Sequence, residues 1–545
     1  MSFHTLLVST LLVCLPAAAA EQAFDVVVYG GTAGGAIAAV TAAREGLKTA
    51  LLEPGSHIGG MVSGGLSWTD YGKKEVIGGL ALEFYLRVGR HYGLPRYGQD
   101  IGWLHEPHVA EDIFREMLKE AGVRLFERHR LAEKKGVRKK AAEVAAITTE
   151  NGDSFSARVF IDSSYEGDLM AQAGVSYTFG REGSAQYGES LAGVRDRTPL
   201  HQFLVDVSPR DAAGRLLPEI SSRALPPPGT ADKAVQAYNY RMCFSEVAEN
   251  RVVFAKPKGY AASRYELFAR LLAARVKAEG KAPMLTSVIK VDRIPNGKAD
   301  INNQGAFSTD YIGGSWDYPD ATYQRRAEMW REHKDYVQGF FYFLANDPQV
   351  PQPLREEMNQ WGLCKDEFRD TDNWPHQLYI RESRRMTGEY VMVQKDMQTE
   401  LTKPDPIGMG SYNSDSHNVE RIVGPDGFAR NEGDMQVAVK PYQIPYRIML
   451  PKRSEVTNLL VPVAFSASHV AYSSVRMEPQ YMILGQAAGV AAKMAIASGQ
   501  PVQRIDSASL VQKLKEQGAV TEYVPSAQAT AIQLFQKRFP RRPPR

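Results

Sequence analysis

The chain has 545 residues, of which 43% are hydrophobic and 23% charged, and its net charge at pH 7 is +3. This length exceeds what one hydrophobic core usually serves, so we expect two substantial domains, which can be interleaved in sequence. The small net charge argues against nucleic acid as the main partner and favours small-molecule chemistry.

An apolar leader opens the chain. Residues 5–20, TLLVSTLLVCLPAAAA, are too few to span a bilayer comfortably, and they end in alanines that suit signal-peptide cleavage. The leader has no Lys or Arg, which departs from the usual charged start of such a peptide. We expect residues 1–20 to be a signal peptide and the mature protein to be secreted or periplasmic. No later segment reaches membrane-spanning length without charges, so no stable membrane insertion is expected after cleavage.

The cysteines do not predict a metal site. Cys14 falls in the leader, where Val13 before it is too large for a typical lipoprotein cleavage box, so no lipid anchor is expected. Cys243 and Cys364 are far apart and have no Cys-x-x-Cys or Cys/His spacing around them. Two buried thiols are predicted, and a single disulfide is the alternative.

The first element pattern, in DVVVYGGTAGGAIAAVTAAREG and the residues after it, is strand, glycine turn, helix and strand. It predicts a buried strand over Val26 to Tyr29, a helix from about Gly35 to Glu45 and a second strand over Thr49 to Leu52 that ends at Glu53. The short connections are typical of a parallel βαβ unit. Residues 106–121 then predict an amphipathic helix, VRLFERH a strand, and EVAAITTENGDSFSARVFIDS two further strands around an Asn-Gly turn.

The composition changes near residue 180, where proline clusters, aromatic residues and long polar loops begin. After residue 451 the chain returns to an apolar strand, NLLVPVAF, and to an Ala- and Gly-rich helix, QYMILGQAAGVAAKMAIASG. We predict a nucleotide-binding domain formed by residues 21–180 and 452–500, with a substrate-covering domain over 181–451 inserted between them. Residues 501–545 form a C-terminal extension whose basic, proline-rich end is expected to be solvated.

The glycine turn predicts a dinucleotide site. In the pattern G-x-G-x-x-G, Gly30 and Gly35 take the outer positions, but Thr32 stands where the middle glycine is usual. A Thr hydroxyl can bond phosphate, although its Cβ restricts the approach. Glu53 ends the next strand at about the spacing expected for an acid that binds ribose hydroxyls.

A second glycine-rich stretch, PGSHIGGMVSGGLSWTD, follows Glu53 and favours a flavin over a nicotinamide. A flat flavin ring and its ribityl chain require extended backbone with few side chains beside them. Gly59, Gly60, Gly64 and Gly65 would provide such backbone.

Seven longer motifs make the chain similar to the FAD-dependent oxidoreductase family of the glutathione-reductase-like superfamily, from Asp25 to about Ser498. They are VYGGTAGGAIAAVTAAREG, HIGGMVSGGLSWTD, EPHVAEDIFREML, FIDSSYEGDLMAQAGVSYTFGRE, QYGESLAGV, IRESRRMTGEYVM and SASHVAYSSVRMEPQYMILGQAAGVAA. The resemblance implies an α/β fold, with a Rossmann-like FAD-binding domain of the glutathione-reductase type and an inserted α+β substrate-capping domain. It also implies noncovalently bound FAD and a redox reaction, without naming the substrate.

One departure from the resemblance concerns the ribityl chain. Related flavoproteins often end the late strand with Gly-Asp, whereas TNLLVPVAFSASH has no such pair. Ser466, Ser468 or His469 is expected to replace that Asp. His57 resembles the position of a covalent flavin tether in some relatives, and a stacking or hydrogen-bonding role is the favoured alternative.

The residues expected to hold the cofactor come from the two glycine stretches, the strand ends and the late helix. They are Gly30, Gly31, Thr32, Ala33, Gly34, Gly35, Glu53, Pro54, His57, Gly59, Gly60, Met61, Gly64, Gly65, Asp162, His469, Arg476, Glu478 and Gln480. Pro479 suits the first turn of a helix that begins around Glu478, and we expect the positive end of that helix to face the flavin pyrimidine edge.

The catalytic candidates are polar residues in loop-like contexts. His469, closest in sequence to the late helix, is ranked first as the base, with His417 and His376 after it. Arg381 and Arg384 predict a clamp for an anionic or polyhydroxylated substrate, and a surface ion-pair strip is the alternative. The loop with Asn302, Asn303, Asp310 and Trp316 suits a sugar ring, and a loop bonded only to itself is the favoured alternative.

These observations favour a secreted FAD-dependent oxidoreductase that transfers a hydride between a small polar substrate, sugar-like or carboxylate, and FAD. Quinone, dioxygen or a partner protein is expected to take the electrons. Two alternatives remain at this point: a non-catalytic flavin- or carbohydrate-binding protein on the same fold, and a nicotinamide enzyme.

Overall fold

The computed structural model describes residues 21–524. The expected signal peptide and the basic C-terminal end lie outside these residues. Strand β1 (Gln22–Tyr29), helix α1 (Ala33–Arg44) and strand β2 (Thr49–Leu52) form the predicted βαβ unit, with β1 and β2 parallel. The helix begins two residues earlier than predicted because the Thr32 side chain caps it.

The remaining helices are α2 (Gly79–His91), α3 (Pro107–Ala121), α4 (Asp168–Gln172), α5 (Ser184–Tyr187), α6 (Glu266–Glu279), α7 (Tyr323–Asn346), α8 (Gln352–Met358), α9 (Lys395–Gln398), α10 (His469–Val475), α11 (Glu478–Ser498) and α12 (Ser507–Glu516). The remaining strands are β3 (Arg124–Phe126), β4 (Val137–Lys140), β5 (Glu143–Thr148), β6 (Ser154–Asp162), β7 (Tyr177–Thr178), β8 (Met242–Ser245), β9 (Arg251–Val252), β10 (Ile289–Ile294), β11 (Lys298–Asn303), β12 (Gly362–Cys364), β13 (Arg385–Met386), β14 (Pro406–Gly410), β15 (Ser414–Ser416), β16 (Glu420–Val423), β17 (Ala429–Glu432), β18 (Met435–Val437), β19 (Tyr442–Pro445) and β20 (Leu459–Leu460).

A mixed sheet carries the glycine turn. Its strand order is β3-β2-β1-β6-β5-β4, and β20 pairs with the last residues of β6. Strands β3, β2, β1, β6 and β20 are parallel, whereas β5 pairs antiparallel with β6 and β4 with β5. The β5–β6 pair is the one predicted around the Asn-Gly turn. The chain thus returns to this sheet after residue 451.

The predicted strand NLLVPVAF is mostly wrong. Only Leu459–Leu460 pairs, with Phe160 and Ile161 of β6. Pro462 has no backbone N–H to offer to a ladder, and the chain turns away at this point.

Helix α11 packs closely on α1 through glycines. A Cβ on Gly34 would lie 2.8 Å from the carbonyl oxygen of Tyr481, and one on Gly485 would overlap the carbonyl oxygen of Gly34. Side chains at these positions would separate the two helices. The glycines therefore place the start of α11 beside the glycine turn that begins α1.

A second sheet, with strand order β10-β11-β8-β12-β9, is antiparallel throughout. Cys243 on β8 and Cys364 on β12 are buried free thiols, as predicted, and their Sγ atoms lie 2.8 Å apart. Within residues 21–524, no helix combines the length and apolar character needed to cross a membrane.

Candidate functional site

A cavity of about 450 Å³ lies at the carboxyl ends of β1 and β2, where open α/β sheets bind ligands. Its walls come from the glycine turn, the end of β2, the loop after β6, helix α7 and the loop near residue 376. The lining includes Gly30, Thr32, Glu53, Pro54, His57, Gly60, Arg130, Ser164, Tyr165, Tyr323, Arg326, Trp330 and His376.

The glycine turn leaves no room for side chains at its outer positions. Gly30 has φ +95°, and a Cβ there would lie 2.7 Å from the amide nitrogen of Ser164. A Cβ on Gly35 would overlap the carbonyl oxygen of Gly30. The strand, the turn and α1 therefore stay close enough for a phosphate to reach the first turn of the helix, whose N–H groups have no intrahelical partner.

Thr32 supports this turn through its side chain. Its hydroxyl donates to the carbonyl oxygen of Ser163 at 2.9 Å and accepts from the N–H of Gly35 at 3.1 Å. The hydroxyl is therefore used to cap the helix and to join it to the loop after β6. A phosphate contact from this side chain would have to compete with both bonds.

Glu53 directly follows β2 and connects the glycine turn to the cavity. Its two carboxylate oxygens accept from the N–H groups of Gly31 at 2.7 Å and of Gly55 at 2.6 Å. Burial raises its pKa to about 7, against the lowering effect of these two bonds. The carboxylate lines the cavity and keeps lone pairs that ribose hydroxyls can use.

Asp162 acts on the cavity through the loop that follows it. The carboxylate accepts from the N–H and hydroxyl of Ser164, at 3.1 and 2.7 Å, and from the N–H of Met170 at 2.7 Å. Burial raises its pKa to about 6. Ser164, and not Asp162, lines the cavity wall, so Asp162 positions the loop.

The second glycine-rich stretch is not extended, which corrects the expectation from sequence. Residues 60–65 form turns, with φ values of +55° at Gly60 and +113° at Gly65. A Cβ on Gly65 would overlap the carbonyl oxygen of Arg241, and one on Gly64 would lie close to the side chain of Gln377. Gly60 lines the cavity, whereas Gly59, Met61, Gly64 and Gly65 are not part of its wall.

Tyr165 joins this stretch to the start of α11. Its hydroxyl accepts from the N–H of Met61 at 2.9 Å and donates to Glu478 at 2.6 Å. Glu478 is the first residue of α11, with Pro479 in the first turn as predicted. Burial raises the pKa of Glu478 to about 8, so this carboxyl is largely protonated at pH 7. Gln480, in the same turn, donates to the carbonyl oxygen of Met409 at 3.4 Å.

His57 stands at the edge of the cavity. Its Nδ1 lies 3.0 Å from Glu111 and its Nε2 lies 3.0 Å from Asp370, while its ring stacks on His376 with centroids 3.9 Å apart. Burial opposes protonation, but the two carboxylates outweigh it and raise the pKa of His57. Both ring nitrogens thus contact carboxylates, and His57 stacks and bonds within the protein.

A buried polar cluster lies beside the start of α11. Arg381 contacts Asp310 at 3.0 Å, and Asp310 lies 2.8 Å from Nδ1 of His417. Arg476, just before α11, donates to the carbonyl oxygen of Asp415, and it shares the ring of Tyr379 with Arg381. Burial and the charge of Arg381 lower the pKa of His417 to about 4, so its ring is neutral at pH 7.

His469 lies in a separate group of buried charges. Its Nδ1 lies 2.8 Å from Glu382 and its Nε2 lies 3.3 Å from the Ser416 hydroxyl, so both ring nitrogens have partners. Burial favours the neutral acid of Glu382, but His469 and Arg385 outweigh it and lower the pKa to about 2. Ser466 and Ser468, the other residues expected near the ribityl chain, bond to Gly388 and Glu189 respectively.

The arginines of RESRR do not form a surface strip. Arg381, Arg384 and Arg385 are 1%, 8% and 0% exposed, and they point to different places. Arg384 pairs with Asp168 at 2.6 Å and Asp320 at 2.8 Å, so it does not clamp one ligand together with Arg381.

Of the proposed sugar loop, only Asp310 enters the buried cluster. Asn302 and Asn303 close β11, and the Trp316 ring N–H donates to the carbonyl oxygen of Val419 at 3.0 Å.

Helix α7 supplies a wall of the cavity that sequence reasoning missed. Tyr323, Arg326 and Trp330 line it, and Arg326 pairs with Asp168 at 2.8 Å. Nothing in the helix itself marks it as a nucleotide contact. The Tyr-Glu-Gly-Asp run after β6, by contrast, follows a predicted strand end and is a local signal for residues such as Tyr165.

Residues 25–517 match the family model described as FAD dependent oxidoreductase. The chain belongs to this family. The family predicted from the sequence is therefore confirmed, and the βαβ sheet with its glycine turn is a Rossmann-like flavoprotein fold. No curated protein matches the chain by sequence.

Solved flavoenzyme structures resemble only parts of this FAD-dependent oxidoreductase. Glycine oxidase from Geobacillus kaustophilus is 17% identical over 29% of this chain and 60% of its own, with a TM-score of 0.22. OxyS anhydrotetracycline hydroxylase from Streptomyces rimosus is 13% identical over 35% of this chain and 38% of its own, also with a TM-score of 0.22. The chain spans less than two thirds of either protein, and likeness at this level says nothing about substrate.

FAD is the cofactor of this family, and the cavity suits it. The glycine turn is a cradle that a Cβ at Gly30 or Gly35 would disrupt, and the Glu53 carboxylate lines the same cavity. The Tyr323 hydroxyl, on the cavity wall, is buried and has no hydrogen-bond partner among residues 21–524, so a bound group would satisfy it.

Proposed function

We propose that this FAD-dependent oxidoreductase oxidises a small polar substrate by transferring a hydride to its FAD, with His417 taking the accompanying proton. The observation that carries this proposal is the contact of 2.8 Å between Nδ1 of His417 and Asp310, in the cluster beside the start of α11. Bound FAD supplies the hydride acceptor.

The residues of the glycine turn and its surroundings hold the cofactor. The first turn of α1 would hold the pyrophosphate, and Glu53 would accept from the ribose hydroxyls. The start of α11 contacts Tyr165 through Glu478, and its helix dipole would favour negative charge on a flavin bound beside it. A protonated Glu478 leaves that positive potential uncancelled.

His417 has the geometry of a general base. Because Asp310 accepts from Nδ1, the proton of the neutral ring is held there and Nε2 keeps a lone pair. Oδ1 of Asp415 lies 3.9 Å from Nε2, which is beyond hydrogen-bond distance. Nε2 is thus available to take the proton of a substrate hydroxyl or amine as the hydride leaves the adjacent carbon.

His469, ranked first from sequence, fits this role less well. Glu382 and Ser416 occupy its two ring nitrogens. To act as the base it would have to give up the Ser416 contact, whereas Nε2 of His417 needs no such change.

We also propose that residues 181–451 cover the substrate and exclude water. Asp310, Arg381 and His417 come from this part of the chain and are 4%, 1% and 7% exposed. Low exposure strengthens the electrostatic interactions among them.

The test is an anaerobic screen of the yellow, FAD-loaded protein against sugars, hydroxy acids and amines, with loss of flavin absorbance as the readout. Bleaching by one class supports the proposal. Stable bound FAD that no compound bleaches would favour a non-catalytic flavin- or carbohydrate-binding protein. A colourless protein that rejects added FAD would reject both, and release of a nicotinamide on denaturation would identify a different cofactor. Quinone, dioxygen and a partner protein remain the electron acceptors to compare by reoxidation rate.

Export is part of the same proposal and depends on the leader alone. The leader has no twin-arginine motif, so an exported chain would load FAD outside the cytoplasm. Residues 1–20 fused to a reporter enzyme should carry the reporter out of the cytoplasm, and a reporter left in the cytoplasm would reject export.

A further inference from the structure

We infer that the substrate is a small hydroxy- or aminocarboxylate, whose carboxylate binds the Nε and Nη2 edge of Arg381. This inference rests on the proposed function and names its substrate class. The oxidised carbon would lie next to the hydroxyl or amine whose proton His417 takes.

Only one of the three guanidinium nitrogens of Arg381, Nη1, has a partner within residues 21–524. Its Nη1 donates to the carbonyl oxygen of Ala237 and contacts Asp310 at 3.0 Å. Its Nε and Nη2 atoms are buried and have no hydrogen-bond partner among residues 21–524. An unpaired, buried edge of a charged group is costly, so a ligand there would be strongly favoured.

In the other three fully buried arginines, groups of the protein itself accept hydrogen bonds from both Nε and Nη2. For Arg241, Nε and Nη2 donate to Asp300 at 2.8 and 2.6 Å. For Arg385, Nε donates to Ala467 and Nη2 to Gly180 and Glu182. For Arg421, Nε donates to Asn431 at 3.0 Å and Nη2 to Ala306 at 3.1 Å. Arg381 alone among these four leaves this edge without a partner.

The free edge has the shape of a carboxylate site. Nε–H and Nη2–H of a guanidinium point to the same side, at the spacing of the two oxygens of a carboxylate, and the pair forms two parallel hydrogen bonds. A neutral sugar hydroxyl would match one donor and would not neutralise the charge.

A second buried arginine, Arg476, lies beside Arg381. Arg476 lies over the same Tyr379 ring, and its buried Nε also has no hydrogen-bond partner within residues 21–524. Asp310 lies against Arg381 and His417, and Asp415 lies 3.8 Å from Nη2 of Arg476, so each arginine has one carboxylate near it. A bound carboxylate would give the Nε and Nη2 edge of Arg381 the two acceptors that residues 21–524 do not provide.

The substrate O–H or N–H proton would move to Nε2 of His417, and the C–H bond would break with its electron pair, which bound FAD would accept as hydride. A C=O or C=N bond forms on the substrate. The substrate loses two electrons, and FAD, the cofactor of the family, gains them.

The test measures binding without turnover. FAD-loaded protein is titrated with acetate, succinate and benzoate, and in parallel with acetamide, succinamide and benzamide, while the flavin difference spectrum is recorded. We expect saturable shifts with at least one acid, and binding of its amide weaker by roughly 10- to 100-fold. Equal responses to acid and amide, or no response to any acid, would overturn the inference.

Variants assign the effect to Arg381. We expect Arg381→Gln to lose the acid response, and Arg381→Lys to retain part of it because the charge stays but the paired edge is lost. Arg421→Gln is the matched control, since the protein itself occupies that edge, and it should keep the response. A normal acid response in Arg381→Gln would overturn the inference. If Arg381→Gln does not bind FAD, the inference is tested by comparing acids with amides in the parent protein and in Arg381→Lys.

The same data separate this inference from the proposed function. Arg381-dependent binding of acids, without bleaching by any hydroxy or amino acid, would leave the carboxylate site standing and reject the oxidation. Bleaching by a neutral polyol, without any binding of acids, would reject the carboxylate site and leave the oxidation standing.

Discussion

Nδ1 of His417 lies 2.8 Å from Oδ2 of Asp310, and the two residues are 107 positions apart in the chain. In the proposed reaction, Asp310 fixes the proton on Nδ1 so that Nε2 can accept another. His417→Asn should therefore lower the rate of anaerobic flavin reduction by about 100- to 10,000-fold, while FAD stays bound. Asp310→Asn should act in the same direction, and the readouts are stopped-flow absorbance and flavin content. A normal rate in both variants would remove His417 from the mechanism.

The pH dependence of flavin reduction follows from the environment of this histidine. Burial and Arg381 lower the pKa of His417 to about 4, against the opposite effects of Asp310 and Asp415. A base acts when it is unprotonated, which is above its pKa. The rate should therefore be flat from pH 8 to about 5 and fall only near pH 4, in stopped-flow reduction of protein shown to remain folded. A fall in the reduction rate centred near pH 6.5 would indicate that a solvated histidine is the base instead.

Gly35 tests the glycine turn. In Gly35→Ala the new methyl group overlaps the carbonyl oxygen of Gly30, so α1 has to move, at a cost of about 1–3 kcal/mol in the free energy of unfolding. Bound FAD should fall with it, as measured by absorbance after gel filtration. Gly46→Ala is the control in the same βαβ unit, because nothing lies within 4 Å of its Cβ and only φ +81° is strained. That variant should lose about 1 kcal/mol and keep its FAD. Equal FAD content in both variants would contradict the prediction.

Glu53 tests the ribose contact. Glu53→Ala should weaken FAD binding roughly 10- to 100-fold, since it removes an acceptor for the ribose and for the N–H groups of Gly31 and Gly55. Glu53→Gln should weaken it too, because one end of the amide is a donor facing an N–H group. Equilibrium dialysis with FAD is the measurement, and exposed Glu116→Gln on α3 is the control. Unchanged affinity in Glu53→Ala would remove the ribose assignment.

The pH dependence of stability follows from His333, which is buried in α7. Its Nδ1 donates to the carbonyl oxygen of Met329 at 2.7 Å, and burial lowers its pKa from the usual 6.5 to about 4. Below pH 6.5 the unfolded chain binds this proton before the folded one does, so stability falls between pH 6.5 and pH 4. His333 accounts for at most about 3 kcal/mol of this loss in the free energy of unfolding. His333→Asn should flatten the loss of melting temperature over this range, whereas His91→Asn, exposed at the end of α2, should not.

Several features of the site were predictable because they are local. Gly30, Gly35 and Glu53 lie within 24 residues of one another, and the strand, turn and helix that carry them have patterns set by near neighbours. The start of α11 at Glu478 followed from Pro479 in the same way. The second glycine stretch shows the limit of this reasoning, since its glycines serve tight contacts with residues such as Arg241 and Gln377.

The sequence by itself determined the family, the cofactor and the βαβ unit that receives the nucleotide, because backbone preferences and hydrophobic periodicity act over short stretches. Only the tertiary structure decided which polar residues share a site. Asp310 contacts both Arg381 and His417, whereas Arg384 pairs with Asp168. Both ring nitrogens of His469 contact other residues, and α7 lines the cavity. The physical reason is that the free energy of a buried charge depends on which groups surround it, and those groups come from distant parts of the chain.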